Sequence, residues 1–277
     1  MAATPGVAQF ARYAYPPNDL GHCGPPGAEV LLAGGATGRD GPGLRPHLAR
    51  FEGAWPYLRL LAATAGVEDP LDPAVVAAYW LGGELLDAVP SPAFRAAVER
   101  DFGAQPGVRE RLAHLAGGRG GPGAAPDHAF HVFVVYPWVG LLGSAGDVPR
   151  AVLDSCRVRW GTVVAVDGES AVVRSPPLSW DGAALGLGAE ELVCCRWAQD
   201  EQAFVADLRP GDQVSLHWNW ICERLDDQQV AVLSGRTGQQ LRLTNEWLAR
   251  RHRTPADPLI DLPATVSGRT TYPRRSS

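Results

Sequence analysis

Apolar positions along this chain follow two different periods, and the change comes at Cys156. Before it they recur every three to four residues in short runs, the spacing of one helix face. Val7–Tyr15 reads as a short helix stopped by Pro16-Pro17, and a loop dense in turn formers follows, Asn18 to Pro26. Helical patterns resume over Gly27–Ala33, Leu44–Ala65 with a break at Pro56, Pro73–Leu86, Pro92–Phe102 and Gln105–Leu115. Pro73 and Pro92 stand at helix starts, where a missing N–H costs nothing. Gly117–Pro126 is glycine-rich and reads as a flexible internal linker. His128–Trp138 is rich in β-branched and aromatic residues, so a strand is expected there, although the run through Leu142 also suits a buried helix. A short helix is expected around Pro149–Asp154.

From Cys156 the period is two. Val158, Trp160, Thr162, Val164 and Val166 alternate with Arg159, Gly161, Val163 and Ala165, Asp167-Gly168 supplies a turn, and Ser170–Ser175 returns. Leu178–Leu187 around Asp181-Gly182 reads as a second hairpin and Glu191–Trp197 as a further strand. Pro210-Gly211-Asp212 turns into one strand over Gln213–Cys222. Short strands at this spacing predict a small barrel. Asp226 followed by Gln229 is a capping-box arrangement, and Val230, Leu233, Thr237, Leu241 and Leu248 carry a helical stripe to about Arg250. The expected organisation is α+β: a mostly helical domain over 1–127, a connecting strand/helix segment over 128–155, a β-barrel plus helix over 156–251, and an irregular tail over 252–277.

Composition narrows the function. With 277 residues, 45% hydrophobic and 20% charged, the chain can build one large or two ordinary domains. A formal net charge of −5 argues against nucleic-acid binding. The chain contains no lysine, which excludes Schiff-base and lysine phosphate-clamp chemistry. No apolar run approaches the ~18 residues of a membrane span, and no signal-peptide pattern opens the chain. Five cysteines spread thinly do not make a disulfide framework, so a reducing cytoplasm is the expected compartment. The chain has no Gly-x-Ser-x-Gly elbow, phosphate loop, dinucleotide fingerprint, His-Glu-x-x-His or Cys-x-x-Cys.

What remains is a set of soft donors. Cys23 lies beside His22 in a Gly/Pro loop, where it is either a reactive or ligating thiol or a small packed group. His128 and His131 would point to opposite faces of a strand and to one face of a helix. Cys194 and Cys195 are adjacent, so in a strand they cannot clamp one ion together. Trp160, Trp197, Trp218 and Trp220 lack the basic groove that base stacking requires and are expected in a barrel core or interface. Cys156, just before the hairpin, and His217, behind the Pro-Gly-Asp turn, are the donors that strand scaffolding could bring together.

The ordered run from Cys156 to Gln229 resembles the HypC/HupF family of hydrogenase-assembly chaperones. Cys156 stands for that family's cysteine, Gly161–Gly168 for its first strand and turn, and Ala171-Val172-Val173 for the return strand. Gly211–His217 stands for its Gly-Asp…His block, and Asp226–Gln229 for its helix start. The resemblance implies an OB-like barrel with a C-terminal helix, a cysteine that helps hold the iron of a nickel-iron hydrogenase, and a supporting histidine. It therefore implies Cys156 and His217 as metal ligands, an iron precursor as cargo, and the hydrogenase large subunit or a HypD-like maturation protein as partner. Residues 1–150 have no counterpart in it, the insertion Ser175–Arg209 is long for it, and Cys156 is internal where that family's cysteine is terminal. The whole chain also resembles an uncharacterised actinobacterial family through segments like Phe10–Pro25, Tyr136–Leu142 and Val214–Cys222. The expected function is that of a maturation chaperone without turnover. The alternative is an enzyme or small-molecule binder with a site between helical part and barrel, using Tyr13, Tyr15, His22, Cys23, His131 and Tyr136.

Overall fold

The structure, a computed structural model, describes residues 4–117 and 124–251. Most of the expected linker, and the tail after Arg251, lie outside those residues. The fold is α+β, with helices in the N-terminal part, a ring of strands and a C-terminal helix. The helices are α1 (Gly6–Asp19), α2 (Ala28–Thr37), α3 (Leu44–Leu48), α4 (Trp55–Ala65), α5 (Pro73–Leu81), α6 (Ser91–Phe102), α7 (Val108–Gly117), α8 (His128–Phe130), α9 (Val148–Cys156) and α10 (Asp227–Arg251). No helix among the described residues is long and apolar enough to cross a membrane.

Helix α1 departs from expectation, because it continues through Pro16 and Pro17 to Asp19. Prolines near a helix end remove N–H donors without stopping the chain from coiling. Here the lost bonds would have gone to the carbonyls of Arg12 and Tyr13, four residues back.

The segment expected as a strand at His128–Trp138 is helical. α8 runs into a π-helical turn over His131–Val135 and then a 3-10 turn over Pro137–Leu141. The Asp127 side chain accepts from the N–H of Phe130 at 2.8 Å and starts this helix. Every residue from Phe130 to Val135 is buried, and a segment apolar all round satisfies its backbone best within a helix. Tertiary burial thus overrides the β preference of Val132, Val134 and Val135. Tyr136 N–H bonds back five residues to the His131 carbonyl at 3.1 Å, and Pro137 holds Tyr136 extended. The buried Arg111 guanidinium donates to the freed carbonyls of Val134 and Val135.

The strands are β1 (Arg159–Asp167), β2 (Ser170–Ser175), β3 (Leu178–Trp180), β4 (Leu185–Leu187), β5 (Glu191–Arg196), β6 (Ala198–Gln199), β7 (Gln202–Ala203), β8 (Gln213–His217) and β9 (Trp220–Arg224). Strands β1, β2, β5, β9 and β8 close in that order into a barrel, with β5 and β9 parallel and the other pairs antiparallel. Counting barrel strands alone, the order is 1-2-3-5-4, which is the OB-like arrangement. The ribbons β3-β4 and β6-β7 are insertions between barrel strands. Gln213–Cys222 is two strands, not one: Trp218 and Asn219 form a tight turn between β8 and β9, so Trp218 and Trp220 do not share a strand. The capping box before α10 forms as expected, with Asp226 Oδ1 accepting from Gln229 N–H at 2.8 Å and Gln229 Oε1 from Asp226 N–H at 2.9 Å.

The main core does not stop at the boundary between helices and barrel. It joins Phe10, Tyr13, Tyr57, Trp80 and Phe130 to Trp220, Cys222 and Leu225. Polar bonds reinforce the junction. Gln9 and Tyr13, one turn apart on α1, both donate to the buried carboxylate of Glu223 on β9, at 2.9 and 3.1 Å. The candidate site lies in this junction.

Candidate metal centre

Cys156 is the last residue of α9 and is only 7% exposed. An ion pair fixes the helix end: Asp154 bonds the Arg157 guanidinium and accepts from Leu178 N–H at 2.9 Å, and Arg157 also donates to the Pro176 carbonyl at 2.6 Å. The carbonyl of Cys156, at a helix C-terminus, has no partner within its helix. It accepts instead from Nε2 of His128 at 2.8 Å.

His217 ends β8, beside the turn at Trp218, and is 1% exposed. Trp218 has φ +55°, a strained conformation for a bulky residue, costing about 1–3 kcal/mol. Three contacts hold it there. Its N–H donates to the Ser155 carbonyl at 2.7 Å, its carbonyl accepts from Arg159 at 3.0 Å, and its ring stacks on His22 at 4.3 Å. The turn is thereby pinned to the residue preceding Cys156. Nδ1 of His217 bonds the Tyr13 carbonyl at 2.6 Å. A carbonyl can only accept, so Nδ1 carries the proton and Nε2 presents its lone pair. Nε2 has no hydrogen-bond partner.

The donor atoms of His128, Cys156 and His217 all lie within 4.8 Å of one another. They line a cavity of about 30 Å³, together with Cys23, His131 and Tyr136 and apolar groups including Phe51, Tyr79 and Trp80. His128 and His217 pack edge to face with centroids 5.0 Å apart, and Trp80 contacts both rings. His128 bonds the Tyr79 hydroxyl through Nδ1 at 3.4 Å, and His131 bonds that of Tyr57 through Nδ1 at 3.2 Å.

Burial dominates the electrostatics. It pushes the Cys156 thiol well up, with the nearby Cys23 adding to the effect. It pushes His217 down to about 4 and His131 down to about 3. His128 is also lowered, by burial first and then by His217. Metal-free, the site therefore holds neutral thiols and neutral imidazoles at neutral pH. Both histidines of the triad give one N–H to a main-chain carbonyl, which fixes the tautomer and ring direction of an imidazole ligand. A thiolate with two imidazoles suits a borderline or soft transition ion.

The two donors nominated from sequence, Cys156 and His217, are thus brought together, and His128 joins them. Sequence reasoning passed over His128 because a strand would have separated it from His131. The signal was Asp127, a helix-capping residue directly before it. Of the aromatic set considered for an organic ligand, Cys23, His131 and Tyr136 reach this cavity. Tyr13 contributes its carbonyl, the Tyr15 hydroxyl bonds Gln199 at 3.0 Å, and His22 covers Trp218. Cys194 is exposed and Cys195 buried in the barrel, on opposite faces as expected. Trp220 is core, packed on Tyr15 and Phe204. A groove of about 410 Å³ lies elsewhere, between α4 and α6, lined by Trp55, Arg59 and Arg100 among others.

No curated protein and no solved structure matches the chain. The model of one family matches residues 2–251, nearly the whole length, as expected from the likeness to an uncharacterised family. The chain belongs to that family, the family of unknown function DUF6390.

Proposed function

We propose that the protein is an accessory chaperone in nickel-iron hydrogenase maturation, carrying an iron precursor at Cys156, His217 and His128 without turnover of its own. The observation that carries this reading is the convergence of three buried soft donors within 4.8 Å, two of them the residues that the HypC/HupF likeness nominates. The cavity of about 30 Å³ favours a small inorganic cargo. Sites for organic ligands run to roughly 300–1,000 Å³, so an enzyme acting on an organic substrate here is the weaker reading. The partner receiving or supplying the iron is the hydrogenase large subunit or a HypD-like maturation protein. The free thiols suit a reducing cytoplasm.

The test is iron content after purification without oxygen, combined with hydrogenase activity in the source cells. The wild-type chain carries about one iron and Cys156→Ser carries none, with hydrogenase activity lost in cells that make only the variant. Undiminished hydrogenase activity with Cys156→Ser overturns the reading.

A further inference from the structure

We propose that Cys23 is the second thiolate of this centre, completing a charge-neutral site for a divalent transition-metal ion with Cys156 and the two imidazoles. The proposal rests on the reading of Cys156 and His217 as metal ligands and adds a residue to it.

Charge is the first argument. Among the described residues lining the cavity there is no aspartate or glutamate, and apart from tyrosine hydroxyls only the thiols of Cys23 and Cys156 among them can become anionic. A divalent ion held by one thiolate and neutral imidazoles leaves a net charge of +1 in an apolar enclosure, and a buried uncompensated charge costs several kcal/mol. With two thiolates the assembly is neutral. Two S–H bonds break, two metal–sulfur bonds form, two protons leave to solvent, and no oxidation occurs.

Placement is the second argument. The loop carrying Cys23 is tied to the helix that orients His217. The Asn18 side-chain amide, at the end of α1, donates to the carbonyls of Cys23 and Pro25 at 2.7 Å each. Gly24, at φ +82°, presses against the ring of Phe51, where a Cβ would lie 2.3 Å from a ring carbon, so the loop sits directly on a cavity wall. The Tyr136 hydroxyl bonds the Cys23 thiol and offsets part of what burial does to it. The unpartnered Nε2 of His217, buried in the same cavity, independently marks the space as a ligand position. Cys23 is outside the set of donors within 4.8 Å, so it closes on the ion by side-chain rotation and a small shift of its loop.

The room available agrees. A water needs about 10–15 Å³ on this measure, so a cavity of about 30 Å³ holds an ion's one or two remaining small ligands, not a large complex.

The test uses Co²⁺ as the probe, added anaerobically at one equivalent to the full chain, with X-ray absorption counting sulfur neighbours and the thiolate-to-cobalt charge-transfer band read in parallel. The wild type shows two sulfur neighbours. Cys23→Ser and Cys156→Ser each show one, with the band about halved, and the double variant shows no band. One sulfur in the wild type, or a band unchanged in Cys23→Ser, overturns the proposal while leaving Cys156 as ligand. Failure of the wild type to take up Co²⁺ overturns both this proposal and the metal reading beneath it. The wild-type sulfur count decides even if a variant does not fold.

Discussion

Ser155 and Trp218, the chain neighbours of Cys156 and His217, are joined backbone to backbone by a 2.7 Å hydrogen bond. The spacing of the two donors is therefore set by main chain and does not depend on their side chains. A serine at position 156 should leave this frame standing, which makes Cys156→Ser a clean probe of ligation.

Metal binding should appear as stability. A ligand that binds only the folded chain adds about 2.7 kcal/mol at a free concentration a hundredfold above Kd. For a chain of this size, roughly 2–4 °C per kcal/mol gives a rise in Tm of about 5–10 °C. Differential scanning calorimetry with and without Co²⁺ should show this rise in the wild type and a clearly smaller one in Cys156→Ser. An equal rise in both would remove Cys156 from the site.

Pro17 offers a test of orientation without touching a donor. It deprives the Tyr13 carbonyl of its helical N–H partner and leaves that oxygen to His217. Pro17→Ala restores the N–H, which competes for the oxygen and loosens the imidazole. Losing such a support costs about 10–100-fold in metal affinity. Titration with Co²⁺ should show weakening in this range while Tm of the metal-free protein holds or rises. Unchanged affinity would mean that the Tyr13 contact does not orient His217.

The barrel was legible because period-two alternation and the Asp167-Gly168 turn are local signals, and the inserted ribbon around Asp181-Gly182 was legible in the same way. The capping box at Asp226 and Gln229 was legible for the same reason. The convergence of Cys156 and His217 came from an ordered likeness, since nothing in their spacing required it. Two features were hidden. His128–Trp138 has strand-forming residues but is buried on every side, and burial is not encoded in a short window. The turn at Trp218-Asn219 lacks glycine, because tertiary bonds from Ser155 and Arg159 hold a conformation that the local sequence disfavours. His128, the donor that was missed, depends on the first of these.

Acid should destabilise the metal-free protein. His217 and His131 have folded pKa values near 4 and 3, below the ordinary 6.5, and His128 is lowered too. Between about pH 6.5 and 4 the unfolded chain binds more protons at these groups, so stability falls as pH falls through that window. Asp127, raised to about 6 by burial, pulls the other way from about pH 4 to 6, and Glu223, also raised by burial, acts in the same sense as Asp127. The three histidines outweigh the two carboxylates. Tm should drop by several degrees from pH 6.5 to 4.5, and His131→Phe should flatten the profile. A Tm that rises across this window would contradict the neutral state assigned to the rings.

Asp127 separates capping from charge. Asp127→Ala removes the acceptor for Phe130 N–H and should cost about 0.5–2 kcal/mol by urea unfolding at pH 7. Asp127→Asn keeps an acceptor and sheds a buried charge, so it should be neutral or stabilising. If both variants lose the same stability, the carboxylate matters for more than its cap.

The donor triad is spread along the chain at residues 128, 156 and 217, so three separate elements must fold before it exists, with β8 carrying the last of the three. A nascent or truncated chain possesses thiols but no enclosure, and cannot retain an ion at this place. Retention of an ion there would then report that α1, α9 and β8 have come together, a stricter condition than the presence of the thiols.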